Sequence, residues 1–393
     1  MNQRKWNFRT PARQGAFSAQ AHVATPEGTF ERELGRDGFF GAATQMYHRN
    51  PPVAWASVEG PLRPRLINPP AVVQATASPW QALDLMHNSS VRIRYWRTDS
   101  AMDHLVRNSD GDELLFIHQG EGVLFCDWGR LAYTAGDYIV LPRGAMWRIE
   151  PGSRTDVLLI ESTGAPYSLP DRGPLGKYVP FDPGVLDHPV IDEAFRAQQG
   201  PGTWQVRVKR GQQISVITYP YNPLDATGWQ GDLHPIRLNV RDIRSVSNHR
   251  VHMSPQSFST FMGHRFVVCT FTPRLIETDD EAMKLPFFHN NDDYEEVLFY
   301  HRGQLGSRGG LVEEGALTLH PSGLTHGPHP QVMPFMFKVP VMMADFYTVM
   351  VDALDPLEVP VLPPGGENED YVNSWRGHID LAPDARASKE NTK

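Results

Sequence analysis

An all-β protein of two tandem β-barrels, joined by a proline-rich linker and carrying few short helices, is the fold this sequence predicts. Three observations carry that expectation. The chain has 393 residues, enough for two domains at about 100–200 residues each. Its 34 prolines and 33 glycines are spread along the whole length, which favours short strands and turns over long helices. Short β-branched or aromatic runs appear in one block, stop at a proline-rich stretch, and then resume.

The first 90 residues are rich in Pro, Gly and Arg, with strand-like pieces at 53–56 and 72–75. Strands are then expected at 91–96, 113–117, 122–127, 129–134, 138–141 and 157–161, separated by turn residues in the manner of a sandwich or barrel. The stretch 162–197 contains Pro166, Pro170, Pro174, Pro180, Pro183 and Pro189 and reads as an ordered connector with one short helix near 192–198. Strands return at 204–209, 214–218, 266–271, 297–300, 316–319 and 344–350. The division that follows is 1–165 for a first barrel with an N-terminal extension, 166–200 for the linker, and 201–393 for a second barrel with a polar tail over 382–393, expected to be disordered.

Composition excludes several classes of function. Net charge is −8 with no long run of Lys or Arg, so the electrostatic footprint of a nucleic-acid binder is missing. No window approaches the roughly 18–20 consecutive apolar residues of a membrane span, and the polar, basic stretch 1–12 has no apolar core of the secretory kind. Cys126 and Cys269 lie in apolar runs without ligand spacing. They read as buried small hydrophobes, and a reducing cytoplasm is the simplest setting.

The chemistry is expected between Phe287 and Pro330, where His289, Asn291, Glu295, Glu296, His320, His326 and His329 are concentrated. A facial metal site needs two imidazoles and one carboxylate with open positions, a donor set that suits non-haem Fe(II). His289 and Asn291 share one face of an extended strand. Glu296 opens the run Val297-Leu298-Phe299-Tyr300, and His326 follows a Pro-Ser-Gly turn. Glu295 competes with Glu296 for the carboxylate position. The spacing to Gly303 and His320 favours Glu296 and leaves Glu295 on the solvent face.

His289-x-Asn291-x4-Glu296-x6-Gly303 resembles the first cupin motif, with Asn where many members have a second His. Gly315-x5-Pro321-x-Gly323-x2-His326 resembles the second. The first half repeats the second motif as Gly136-x5-Pro142-x-Gly144-x2-Trp147, with Trp in the ligand position, so that half is expected to be a degenerate, metal-free cupin. His104 and His118 are then ordinary polar residues, and strand alternation turns His301 away from Glu296.

The run Phe287-Phe288-His289-Asn290-Asn291, the pair Arg302-Gly303, and the segments around His320 and Phe271-Thr272-Pro273-Arg274 are similar to homogentisate 1,2-dioxygenases, especially the shorter bacterial forms. That resemblance implies iron on His289, Glu296 and His326, with His320 beside the substrate ring hydroxyl and His252 as a second catalytic histidine. It also implies a pocket including Phe288, Asn291 and His329, and a trimeric or hexameric assembly. Animal members have Tyr at the positions of Phe288 and Leu305. The expected reaction is extradiol-type cleavage of homogentisate by O₂ to maleylacetoacetate, with no nucleic-acid or membrane partner. Gentisate or a substituted hydroquinone is the alternative substrate, and a metal-binding cupin without turnover the alternative class.

Overall fold

The computed structural model describes residues 10–376 apart from 285, 304–309 and 336. The basic stretch 1–9, Leu305 and the tail 382–393 lie outside the described residues. Two six-stranded sheets form the first barrel. One runs in the order Ile236–Asn239, Asp137–Leu141, Gly111–Gln119, Thr155–Thr163, Val91–Thr98, Leu83–His87. The other runs Gln213–Tyr219, Trp204–Arg210, Leu105–Asn108, Met146–Pro151, Glu121–Cys126, Gly129–Thr134. Alternation sends Leu115, Ile117, Trp147, Val157 and Leu159 into the space between the sheets, where they form one buried cluster. Each such side chain contributes about 1.5–3 kcal/mol by leaving water.

The second barrel is built from both ends of the chain. Its larger sheet has seven strands in the order Ser259–Gly263, Phe266–Phe271, Tyr347–Ala353, Glu295–Arg302, Leu317–His320, Arg65–Ile67, Glu367–Asn368. A three-stranded sheet places Phe288–Asn291 beside Phe30–Gly35, which pairs in turn with Ala43–His48. The boundaries expected from the sequence are therefore corrected in two places. The N-terminal extension supplies strands to the second barrel, and strands within 204–239 complete the first. Continuous runs in the sequence do not follow the division in space, because each barrel closes with a strand from beyond the linker or from before residue 70.

The expected strands from 91 to 161 all appear: 129–134 with the same bounds, 122–127 shifted by one residue, and the others longer by one to four residues. Residues 53–56 form no strand, and 72–75 holds the end of the helical turn Pro69–Val72 and a single bridge from Ala75 to Arg97. The expected helix is Glu193–Ala197, whose N-cap Asp192 accepts a hydrogen bond from the Phe195 backbone N–H at 3.0 Å.

The barrels pack sheet against sheet. Ile93, Tyr95, Leu114, Phe116, Leu158 and Ile160 of the first meet Val268, Val297, Phe299, Leu317, Val349 and Val351 of the second in one continuous apolar layer. Within that layer His118 and His301 face each other, Nδ1 to Nδ1 at 3.1 Å. His301 does point away from Glu296, as alternation requires.

Candidate metal centre

The interior face of strand Glu295–Arg302 carries Glu296, Leu298 and Tyr300, while Val297 and Phe299 face the layer between barrels. Glu296 stands opposite His320 on one neighbouring strand and Asp352 on the other. His289 and His326 are locked together by reciprocal backbone hydrogen bonds of 2.9 and 3.0 Å, so a strand residue and a loop residue share one position. Among the described residues, His289, Glu296 and His326 are the group whose donor atoms could hold a metal ion, all lying within 4.8 Å of one another. The structure thus brings together the three residues singled out in the sequence.

The geometry fits a cation. His289 Nδ1 lies 3.0 Å from the Phe287 carbonyl and His326 Nδ1 lies 3.2 Å from the Leu324 carbonyl. Each carbonyl accepts the Nδ1–H, which leaves a lone pair on Nε2. Both Nε2 atoms then sit 3.7 Å from Glu296 Oε2, too far for a hydrogen bond and open enough for one ion among the three. His326 Nε2 is buried without a hydrogen-bond partner. Burial would raise the Glu296 carboxyl, but His326, His289 and His320 outweigh it and hold the group well below the usual range. Burial, with His289 beside it, lowers His326. An ionised carboxylate and a neutral imidazole are the forms a metal takes.

Glu296 is also held from behind. Its Oε1 accepts from His320 Nδ1 at 2.9 Å, and His320 Nε2 lies 3.3 Å from the Tyr371 hydroxyl. Burial first, then Glu296, pushes Asp352 well above the usual carboxylate range. Glu295 is not on the solvent face as the sequence reading had it. It is 6% exposed, and its Oε2 accepts the Leu357 backbone N–H at 2.7 Å. The strand is buried on both sides, so alternation sends Glu295 into the other packed face and not into water.

The remaining expected residues are placed as follows. Asn291 is buried on the His289 face with Oδ1 unpartnered. His329 packs edge-on to Trp375 and reaches Ser374 at 3.0 Å. Phe288 is fully buried, but alternation puts it on the opposite face from His289, where it packs on Gly327. His252 lies 3.0 Å from Glu277 and edge-on to Phe287, whose ring stands between it and His289. A cleft of about 600 Å³ lined by Gly38, Phe40, Gln256, Arg265 and Tyr294 opens elsewhere on this barrel. None of the three donors lines it, so donor geometry and not cleft size marks the centre.

Two groups escaped the sequence reading. His22 lies between Glu31 (Nδ1–Oε1 2.5 Å) and Glu33 (Nε2–Oε2 2.9 Å) and stacks on Phe287 at 4.0 Å. Glu33 is in register with His289, so this buried trio adjoins the centre. Burial opposes charge on His22, but the two glutamates outweigh it and push the imidazole up to about 9.

The second group is in the first barrel. Asn108-x4-Glu113-x6-Gly120 repeats the spacing of Asn291-x4-Glu296-x6-Gly303, and that spacing was the signal available. The turn glycines match in backbone conformation: φ is 95° at Gly120 and 78° at Gly303, 90° at Gly136 and 85° at Gly315, 85° at Gly144 and 84° at Gly323. Glu113 thus corresponds to Glu296, Val106 to His289 and Trp147 to His326. Trp147 Nε1 donates to Glu113 Oε2 at 2.9 Å, and Glu161 accepts from Asn108 at 2.9 Å and Lys209 at 3.0 Å. Arg94 lies 4.0 Å from Glu113 and 3.7 Å from Glu161. Burial pushes Glu113 up to about 7. One of the three candidate donors has a counterpart there, and fixed organic cations share the space.

The family model described as homogentisate 1,2-dioxygenase N-terminal matches residues 71–240, a span that ends one residue past the last strand of the first barrel. A Saccharolobus solfataricus protein named only provisionally as a dioxygenase is 27% identical over 92% of this chain and 98% of its own length. Homogentisate 1,2-dioxygenase of Bradyrhizobium diazoefficiens is 24% identical over 72% of this chain and 65% of its own, so this chain spans under two thirds of that relative. A cupin barrel protein of Leptotrichia buccalis is 8% identical, covers 74% of this chain and 96% of its own, and has a TM-score of 0.34.

Proposed function

We infer that this chain, a relative of the homogentisate 1,2-dioxygenases within the cupin superfamily, is a non-haem Fe(II) dioxygenase that opens the ring of a hydroquinone-type aromatic acid, homogentisate before others. The observation that carries this reading is the convergence of His289, Glu296 and His326, with both imidazoles oriented by carbonyls so that Nε2 faces Glu296. Two imidazoles and one carboxylate with open positions are the donors of Fe(II) oxygenases. Bound there, the iron would hold the ring hydroxyl and dioxygen side by side and couple them electronically.

The protein's own groups would do the rest. His320 fixes Glu296 through Nδ1, and with Tyr371 at its other nitrogen it forms a short relay for the phenolic proton. His252, paired with Glu277, would serve as a second proton-accepting group one aromatic ring away from His289. Burial lowers its affinity for a proton despite Glu277, so it starts neutral. Asn291 and His329 would line the pocket, and the buried walls around Phe287 and Trp375 keep water from the reacting ring.

The test is anaerobic reconstitution with Fe(II), then O₂ uptake with homogentisate, comparing the unmodified protein with Glu296→Ala. Stoichiometric iron and O₂ consumption are expected for the first, and loss of both for the second. Full iron and rate in Glu296→Ala would remove the carboxylate from the centre. A second reading has gentisate or a substituted hydroquinone as the substrate. Uptake with a panel of para-diol acids separates the two. Iron binding with no uptake on any of them would instead indicate a cupin without turnover.

A further inference from the structure

The cleft of about 600 Å³ on the second barrel has a floor in the same sheet as Glu296. Val267 lines it and stands opposite Asp352, which in turn stands opposite Glu296. Directly paired residues send their side chains to one face. Cys269, Met350 and Leu298, two residues along each strand, accordingly meet Val267 in one buried cluster. At about 4.8 Å per strand, the floor ends about 10 Å from Glu296. The side chain between them, Asp352, is buried with Oδ1 lacking a hydrogen-bond partner.

The walls suit an aromatic acid. Phe40, Phe266 and Tyr294 line the cleft, and its volume falls within the range of about 300–1,000 Å³ usual for small-molecule sites. Arg172, also in the lining, lies over the Phe181 ring at 4.6 Å, and its Nη1 donates to the carbonyls of Lys177 and Phe181. Its Nη2 is buried without a hydrogen-bond partner. Burial lowers this guanidinium, and Asp182 offsets only part of that. Arg265 lines the cleft as well but is closed off by Asp355 at 2.7 and 2.6 Å. Of the lining acids, Asp171 is turned back onto the Gly173 N–H at 3.0 Å, and Asp37 lies on the loop that carries Phe40.

We propose that this cleft receives the aromatic acid, its carboxylate on Arg172 and its ring against Phe40 and Tyr294, before the acid passes to the metal centre. The onward passage rests on the proposed function; the carboxylate site does not. A charged N–H buried with no internal acceptor is costly, and a carboxylate supplies the acceptor and the counter-charge together.

Met262, half-buried in the lining, and Gln256, which also lines the cleft, supply the reporters. In the iron-loaded full chain without oxygen, Met262→Cys and Gln256→Cys should each react with a maleimide, Cys126 and Cys269 being buried. Phenylacetate should protect both new thiols, and the neutral phenylacetamide should not. Arg172→Gln should raise the phenylacetate concentration for half protection about tenfold, the worth of one charge-assisted hydrogen bond, while Arg172→Lys stays near the unmodified value. The labelled protein should keep its iron and lose O₂ uptake with homogentisate. Equal protection by the two compounds, none in either cysteine variant, or a full rate in the labelled protein would overturn the proposal. Protection is read without turnover, so its appearance in a chain that consumes no O₂ with any para-diol would sink the proposed function and leave the carboxylate site standing.

Discussion

The pair His118 and His301 makes acid stability a direct readout of the contact between barrels. Two imidazoles that meet Nδ1 to Nδ1 at 3.1 Å share one proton, so in the neutral pair they are of opposite tautomers. Around them stand Tyr95, Phe116, Phe299 and Tyr347, which solvate a cation poorly. The nearest charges are mixed: Asp156 and Glu314 favour protonation of His118, Arg97 opposes it, and Arg302 and Arg241 oppose that of His301. Burial dominates and lowers His118 to about 4 and His301 to about 3, from 6.5. Because both folded values lie below the unfolded one, the unfolded chain binds more protons in that window. Stability is full above about pH 6.5 and is lost as pH falls toward the folded values. Between pH 7 and pH 5 the loss is about 2 kcal/mol for each imidazole, about 4 kcal/mol together. Urea unfolding of metal-free protein at the two pH values should show that loss, and His118→Phe/His301→Phe should lack it, every other titrating group being common to both proteins. An equal pH dependence in the double variant would refute the reasoning.

His22 should behave with the opposite sign. Its folded value of about 9 exceeds 6.5, so its contribution is full below pH 6.5 and lost as pH rises through 9, about 3 kcal/mol in all; His22→Gln should flatten the alkaline limb of the urea-stability profile. Trp147→Phe strips the Glu113 carboxylate of its 2.9 Å donor and should cost about 1–3 kcal/mol in urea unfolding with iron binding unchanged. Gly303→Ala must adopt a φ of 78° with Cβ 2.4 Å from the Asp345 carbonyl oxygen, and a loss of about 2 kcal/mol or more in thermal or urea melts is expected.

What was legible in the sequence was what is local. The turn glycines and the Glu296-to-Gly303 spacing are fixed by one hairpin, so they announced the strands and the carboxylate without knowledge of the fold. His289 and His326 were legible because each belongs to a short motif. Phe30–Gly35 was not, because its inward residues are Glu31 and Glu33. A strand whose polar residues face the core inverts the alternation used to detect it, and the neutralising partner His22 is eight residues removed from the strand's first residue. Glu295 failed for a related reason: burial on both faces of a strand leaves no solvent side to assign. Glu113 lay in plain view in its spacing to Gly120, and its hydrogen bond with Trp147, which stands in the place of His326, agrees with its being the counterpart of Glu296.

The pairing of Phe30–Gly35 with Phe288–Asn291 also sets an order of events during synthesis. Segments made first must wait, unpaired, until some 250 residues more have left the ribosome, while the central barrel can already close once its last strand, Ile236–Asn239, emerges. A nascent chain stalled before residue 288 would expose the early strands as adhesive edges and depend on chaperones to stay in solution. Any attempt to express the half that carries His289, Glu296 and His326 as a contiguous fragment would omit the wall on which His289 rests.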